Sequence, residues 1–244
     1  MGNNTIKRKI RVSYTPAAFS EIASDRSSIA VVVDVFRAST TICAAFQRGI
    51  KKVIPVVEEN EAIDYKRKGF LVAGERDGIK LDFCDYGNSP LGFPKKLTRK
   101  NLVITTTNGT RAINAVKGYD EVLIGSFCNI GKLIEHLSME PKDLLIQCAG
   151  WKGDFSIEDS LFAGAFTESL VISGLFEISS DTALAAFTMW ERAKADLAGF
   201  LRKSQHYQRL KKIGYEADMI FALKSNTTNV LPVWEDYYLK DKIK

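Results

Sequence analysis

Short apolar runs rich in valine and isoleucine recur along the chain, at Ile29–Val35, Lys52–Val57, Phe70–Ala73, Leu102–Thr106, Glu121–Ile124 and Asp143–Gln147. Runs of this length suit strands covered on both faces, the pattern of a parallel sheet. Helical stretches separate them: Ser39–Arg48 ends at Gly49, Glu59–Lys68 at Gly69, and Thr110–Lys117 at Gly118. Each glycine stands where a helix C′ position favours a left-handed residue. Lys9–Tyr14 reads as a further strand and Asn229–Val233 as a late one.

Residues 156–224 follow another pattern. Ser156–Ser173 and Asp181–Ser204 are long and helical, and Glu216–Lys224 predicts another helix. Strands alternating with helices predict an α/β protein. The expectation is one domain over 1–244, a three-layer α/β/α arrangement with a mostly parallel or mixed sheet and a helical C-terminal third. The order strand, polar loop, helix recurs at 29–48, 102–117 and 143–173. That order fits an internal duplication, although sequence identity between the units is too weak to establish one. The helical third either covers the sheet or builds a homodimer interface. Exposed Phe and Trp among Ala186–Phe200 would mark the interface.

Composition narrows the class. The 244 residues are 45% hydrophobic and 26% charged, ordinary globular values that exclude collagen, coiled coil and disorder. Cys43, Cys84, Cys128 and Cys148 form no CxxC pair, which argues against a disulfide framework and a cysteine zinc site. Two histidines, His136 and His206, are too few for a multi-histidine metal centre. The net charge of +5 is scattered, with no basic block to bind nucleic acid. Met1–Asn4 opens onto Lys7-Arg8-Lys9 with no apolar h-region behind it, and no run of about 18 apolar residues exists. The expectation is a cytoplasmic protein with no membrane or nucleic-acid partner.

In such sheets ligands gather where the carboxyl ends of strands meet helix N-termini. Four loops of that kind carry chemistry. In Val33-Asp34-Val35-Phe36-Arg37-Ala38-Ser39-Thr40-Thr41, a carboxylate falls at the end of an apolar strand. Burying it there is costly unless it is paired or bound to a cation such as Mg²⁺. Arg37 either grips an anion bidentately or pairs with Asp34. Thr105-Thr106-Thr107-Asn108-Gly109-Thr110-Arg111 runs a strand into hydroxyls and a helix start. Backbone N–H groups and the helix dipole there favour an anion, though an Asn-Gly turn capped by Thr110 is the plain alternative. Cys148-Ala149-Gly150-Trp151-Lys152-Gly153-Asp154-Phe155-Ser156-Ile157-Glu158-Asp159 ends a strand in a glycine-rich loop and an acidic helix start. Ser156 and Asp159 have capping-box spacing, while Glu158 and Asp159 are candidates to face a metal. Cys148 is a buried small residue or a thiol activated by Lys152 or a helix N-terminus. The fourth segment, Gly74 to Arg99, is long and reads as mostly irregular, with Glu75, Arg76, Lys80, Asn88 and Ser89 as polar candidates.

Several motifs are missing. There is no GxGxxG and no GxSxG elbow. Gly125…Gly131-Lys132-Leu133 misses a P-loop by one residue and lacks the Ser/Thr. Phe36 stands where haloacid-dehalogenase phosphatases carry a second aspartate. The oxygen-rich loops that remain point to metal-assisted chemistry on a phosphorylated or polyanionic small molecule.

Five of these stretches, in order, resemble the 2-phosphosulfolactate phosphatase family: VVVDVFRASTTICAAF (31–46), GERDGIK (74–80), DYGNSP (85–90), TTTNGTRAI (105–113) and CAGWKGDFSIEDSLFAG (148–164). DMIFALKSNTTNVLPV (218–233) resembles the family's closing segment. The resemblance implies a Mg²⁺-dependent acid phosphatase that converts 2-phospho-3-sulfolactate to 3-sulfolactate, a step toward coenzyme M in methanogens. In bacterial relatives the substrate is the same sulfonate or another phosphorylated acid. The chain departs from the family at Phe83-Cys84, where Gly-Phe is usual. It departs also at Gly92, near an expected acidic residue, and at Trp151-Lys152, where Thr or small residues are usual. These departures bear on the substrate more than on the chemistry.

On this reading Asp34 holds Mg²⁺ with Glu158 or Asp159, and Glu75 is a further candidate ligand. Donors for the anionic substrate are Arg37, Arg76, Lys80, Asn88, Ser89, Thr107, Arg111 and Lys152, with the backbone of Asn108-Gly109-Thr110. The candidate nucleophiles are a metal-activated water, then Asp34, then Cys148. A non-catalytic anion-binding module and a lyase or mutase on a phosphorylated acid are the alternatives.

Overall fold

The structure, a computed structural model, describes residues 6–18, 26–97 and 100–243. Met1–Asn4 and the Thr98-Arg99 end of the long segment lie outside the described residues. The strands are β1 (Arg8–Ser13), β2 (Ile29–Val33), β3 (Lys52–Pro55), β4 (Leu71–Arg76), β5 (Ile79–Lys80), β6 (Asn101–Thr105), β7 (Glu121–Gly125), β8 (Leu144–Cys148), β9 (Phe176–Ile178), β10 (Pro232–Glu235) and β11 (Tyr238–Asp241). The helices are α1 (Ala38–Gln47), α2 (Glu59–Arg67), α3 (Gly109–Val116), α4 (Ile130–Met139), α5 (Ile157–Ile172), α6 (Asp181–Ala193), α7 (Leu197–Leu201), α8 (Gln205–Lys212) and α9 (Glu216–Ala222).

The sheet order is β5-β4-β6-β3-β11-β10-β7-β2-β8-β1-β9. β7, β2, β8, β1 and β9 form one parallel block, and β4, β6 and β3 form another. The antiparallel hairpin β10–β11 joins them through single bridges, Val233 to Leu123 and Leu239 to Val53. The mixed α/β layering read from the sequence is therefore present, with a hairpin from the chain end as its keystone.

Strand periodicity explains the layers. On β2, Ile29, Val31 and Val33 face one core with α5, α6 and the C-terminal helices. Ala30 and Val32 face a second core with Ile42 and Phe46 of α1 and Ile113 and Val116 of α3. Leu102 and Ile104 of β6 belong to that same second core, whereas Val103 turns to a third with Ala62 of α2. Helices α1 and α3 thus sit between the two blocks. Val32 and Ile124 from one block and Ile104 from the other line a common small cavity beside them. Loops from both blocks reach one cleft.

Gly49 and Gly69 take the left-handed conformation, with φ of 98° and 83°. Gly118 does not; the α3 C-cap, Lys117, is right-handed and the chain turns without it. The helix expected over Asp181–Ser204 breaks after Ala193 into a 3-10 turn and α7, which the Asp196 side chain caps by accepting the Gly199 N–H at 2.9 Å. The segment expected to be irregular begins with a tight hairpin: Asp77 and Gly78 have φ of 53° and 78°. Asp-Gly is the favoured pair for such a two-residue turn. Phe187, Trp190 and Phe200 are half-buried, so α6 and α7 lack the exposed aromatic face expected of an interface. No helix among the described residues is long and apolar enough to cross a membrane.

Candidate active site

β2 is buried throughout and ends at Val33, so Asp34 emerges at its carboxyl edge just before α1. Asp34 Oδ1 accepts the Ala38 N–H at 3.1 Å, the first amide of that helix. Oδ2 has no hydrogen bond and faces Gly109, where an added Cβ would lie 2.8 Å from it and 2.6 Å from the Ala38 Cβ. Only glycine lets the start of α3 come this close. Burial raises the Asp34 pKa to about 6. The Ala38 N–H and His206 oppose the rise, and Glu75 and Glu158 add to it.

β8 delivers the second loop. Ser156 caps α5 by accepting the Asp159 N–H at 3.3 Å. The Asp159 carboxylate ties the loops together: Oδ1 accepts from Val35 N at 2.8 Å and Oδ2 from Gly150 N at 3.2 Å. Burial, then Asp34 and Glu158, hold its pKa well above the carboxylate range. Glu158 Oε1 meets His206 Nδ1 at 2.5 Å, while Oε2 is buried with no hydrogen-bond partner. His206, from α8, stacks on Trp151 at 5.2 Å and 18° and lies edge-on to Phe36 at 6.4 Å. With Nδ1 engaged by Glu158, Nε2 is the imidazole nitrogen left for the cleft.

The second block supplies the opposite wall. Glu75 Oε1 accepts from Thr107 N and Oγ1 at 2.9 and 3.1 Å, and Oε2 from Gly78 N at 2.5 Å. Arg37 is buried. Its Nη1 pairs with Asp218 Oδ2 at 3.0 Å, its Nη2 donates to the Gly78 carbonyl at 3.0 Å, and its guanidinium lies 3.6 Å from the Tyr215 ring centre. Ser89 Oγ completes the lock by donating to Asp218 Oδ1 at 2.8 Å. Around these groups lies a narrow cleft walled by Asp34, Phe36, Arg37, Glu75, Asp77, Gly78, Asn88, Thr107, Asn108, Trp151, His206, Arg209 and Leu210. Asn88 Oδ1 has no hydrogen-bond partner.

A family model described as 2-phosphosulpholactate phosphatase matches residues 15–237. Proteins designated probable 2-phosphosulfolactate phosphatase are similar along most of the chain. That of Caldanaerobacter subterraneus subsp. tengcongensis is 38% identical over 207 residues, 83% of this chain and 86% of its own. That of Thermotoga maritima is 37% identical over 204 residues, 83% and 87%. That of Picosynechococcus sp. is 33% identical over 231 residues, 92% and 95%. The chain belongs to the 2-phosphosulfolactate phosphatase family. By family it is a phosphoric monoester hydrolase, and the resemblance carried by its loops is confirmed.

The 2-phosphosulfolactate phosphatase fold gathers part of the expected site. Asp34, Arg37, Glu75, Asn88, Thr107 and Asn108 line the cleft. Glu158 stands behind His206, and Asp159 and Ser89 are internal struts. Arg37 is committed to Asp218 rather than Asp34, so neither the free anion grip nor the Asp34 pair is formed. Glu75 and Asp159 have both carboxylate oxygens engaged by protein N–H groups, which weakens them as metal ligands. Arg76 donates to Val57 O and Thr105 Oγ1 at 3.0 and 2.9 Å and pairs with Glu59 at 3.0 Å, away from the cleft. Lys80 is exposed and reaches the Asp85 carbonyl at 3.4 Å. Arg111 is exposed on α3, and the Thr110 hydroxyl is turned back onto the Thr106 carbonyl at 3.0 Å. Lys152 pairs with Asp77 at 2.9 Å, and its N–H donates to Asn108 Oδ1 at 3.2 Å. Cys148 is buried, and burial with Asp159 and Glu158 nearby pushes its thiol pKa up, against a nucleophilic role.

His206, Arg209 and Asp218 were absent from the expected site. All three lie in the helical third, more than 40 residues past the last motif loop; His206 and Arg209 fall on a helix, Gln205–Lys212, that lies between the two expected at 181–204 and 216–224. The motif-like closing segment beginning at Asp218 was the one available signal.

Proposed function

We propose that the protein hydrolyses 2-phospho-3-sulfolactate, or a related phosphorylated 2-hydroxy acid, to the hydroxy acid and inorganic phosphate with Mg²⁺. The observation that carries this reading is the charge of the cleft. Three carboxylates (Asp34, Glu75, Asp77) face two arginines, and both are already paired, Arg37 with Asp218 and Arg209 with Asp77. A polyanionic substrate enters such a cleft only with added positive charge.

The residues fit Mg²⁺ in a limited sense. Among the described residues no group of three or more His, Cys, Asp or Glu surrounds one point. Mg²⁺ commonly uses one or two carboxylates and completes its shell with water and phosphate oxygens. Of the candidate ligands Asp34, Glu75, Glu158 and Asp159, Asp34 and Glu158 keep a carboxylate oxygen without a hydrogen bond, so they would hold it. When bound, the ion would neutralise phosphate charge and activate a water for attack.

The chain's own residues do the rest. Asn108 and Thr107 bring the start of α3 against the phosphate site, where its amides and dipole stabilise negative charge. Leaving as an alkoxide, the hydroxy acid needs a proton. His206 Nε2 supplies it, held in orientation by Glu158 and by stacking on Trp151. The Trp151 and Phe36 rings shield that proton from water.

The test is phosphate release from 2-phospho-3-sulfolactate with Mg²⁺ and with EDTA, beside a panel of phosphorylated 2-hydroxy acids. Mg²⁺-dependent release fastest with the sulfonate is expected. Faster release from another acid would keep the chemistry and place the change at Trp151-Lys152, since Phe83 and Cys84 pack in the third core and do not line the cleft. Product without free phosphate would point to a lyase, and binding without turnover to an anion-binding module.

A further inference from the structure

At the mouth of the cleft, Asp77 holds two cations at once. Lys152 Nζ lies 2.9 Å from Asp77 Oδ1, and Arg209 Nη2 lies 3.6 Å from the same oxygen. Arg209 Nη2 also donates to the Asp77 backbone carbonyl. The three residues come from three places: the β4–β5 turn, the loop after β8, and α8. Arg209 follows His206 by three residues on α8, so both project from one face of that helix toward the cleft. The guanidinium lies 5.8 Å from the Trp151 ring centre, the same ring on which His206 stacks.

The arrangement is poorly suited to stability. Asp77 is 58% exposed, Lys152 52% and Arg209 30%. Ion pairs this open contribute about 0–1 kcal/mol. Asp77 also adds negative charge to a cleft that receives an anion. By contrast the other cleft arginine, Arg37, is locked between Asp218, a carbonyl and an aromatic ring. Arg209 is therefore the cleft arginine whose carboxylate partner is solvent-exposed and readily exchanged.

We propose that Arg209 and Lys152 form the subsite for the substrate's second acid group, the sulfonate or carboxylate remote from phosphorus. Asp77 occupies that subsite in the free protein as an internal anion and is displaced when substrate binds. This rests on the phosphatase reading and adds how the enzyme selects phosphate esters that carry a second acid. Arginine suits the task because its planar donors match sulfonate and carboxylate oxygens bidentately. The exchange is cheap because one open ion pair replaces another.

The experiment compares Asp77→Asn and Arg209→Gln with the unaltered chain. Asn keeps the left-handed turn position, which it tolerates well. Two readouts are used. The first is the ratio of kcat/KM for 2-phospho-3-sulfolactate to that for phenyl phosphate, which lacks a second acid. The second is calorimetric affinity for 3-sulfolactate, which needs no turnover. Asp77→Asn is expected to raise the ratio and the affinity about 2–5-fold, the worth of an exposed ion pair. Arg209→Gln is expected to lower both by about 10-fold or more, the scale of a lost charge-assisted hydrogen bond. Arg209→Lys should recover part of the affinity. Unchanged or weaker 3-sulfolactate binding in Asp77→Asn, or unchanged binding in Arg209→Gln, would overturn the subsite. If the unaltered chain releases phosphate from neither ester, the phosphatase reading fails, while the binding arm still decides the subsite.

Discussion

Asp34 combines two roles that one substitution can separate. One oxygen is tied to the first amide of α1, and the other faces the start of α3 without a partner. Asp34→Asn keeps the shape and removes the charge, so Mg²⁺-dependent phosphate release should be lost. The metal-free Tm should not fall, because a buried carboxylate whose pKa is pushed to about 6 costs stability at neutral pH. A variant with full activity would sink the scheme. His206 calls for a different readout. His206→Asn should lower kcat about 10²–10⁴-fold for an alkoxide leaving group, the usual worth of a positioned acid. With p-nitrophenyl phosphate, whose leaving group needs no proton, the loss should be much smaller. Equal losses on both substrates would mean that His206 acts on binding or packing instead.

Between elements, the Arg37–Asp218 pair joins the loop after β2 to α9, with Ser89 of the long segment bound to the same carboxylate. Three parts of the chain thus meet at one buried charge. Asp218→Ala would leave the Arg37 guanidinium buried without its carboxylate, at a cost of about 3–5 kcal/mol. Urea unfolding should show that loss, together with a raised KM, because Phe36 and Gly78 on the cleft wall depend on the Arg37 lock. The hairpin β10–β11 acts at the same scale. Without it the two parallel blocks have no hydrogen-bonded connection in the sheet order.

For the molecule as a whole, the buried carboxylates set a pH dependence. The native Asp34 pKa of about 6 lies above its ordinary value of 3.8. Between roughly pH 4 and 6 the native state binds more protons than the unfolded chain. Metal-free stability therefore falls as pH rises through that window, by ~3 kcal/mol for this group, and levels off above it. The raised Asp159 pKa acts in the same direction. A cation competes with those protons, so Mg²⁺ should raise Tm more at pH 7.5 than at pH 5. Thermal melts with and without Mg²⁺ at both pH values check this, and an equal shift at both would detach the metal from Asp34.

The chain alone determined the α/β class, the principal buried strands and the loop chemistry, because those depend on local hydrophobic period and on polar residues placed just after apolar runs. It also determined the family, through five motifs in a fixed order. Only the tertiary structure decided which of those polar residues share a cleft. Arg76, Lys80 and Arg111 look as suited to an anion as Arg37 does in sequence, yet the first three lie outside the cleft. His206 and Arg209 enter from a helix whose own sequence carries no such signal. The joining of the two blocks by the terminal hairpin and the docking of α8 depend on packing between residues far apart in the chain, and local periodicity contains no record of it.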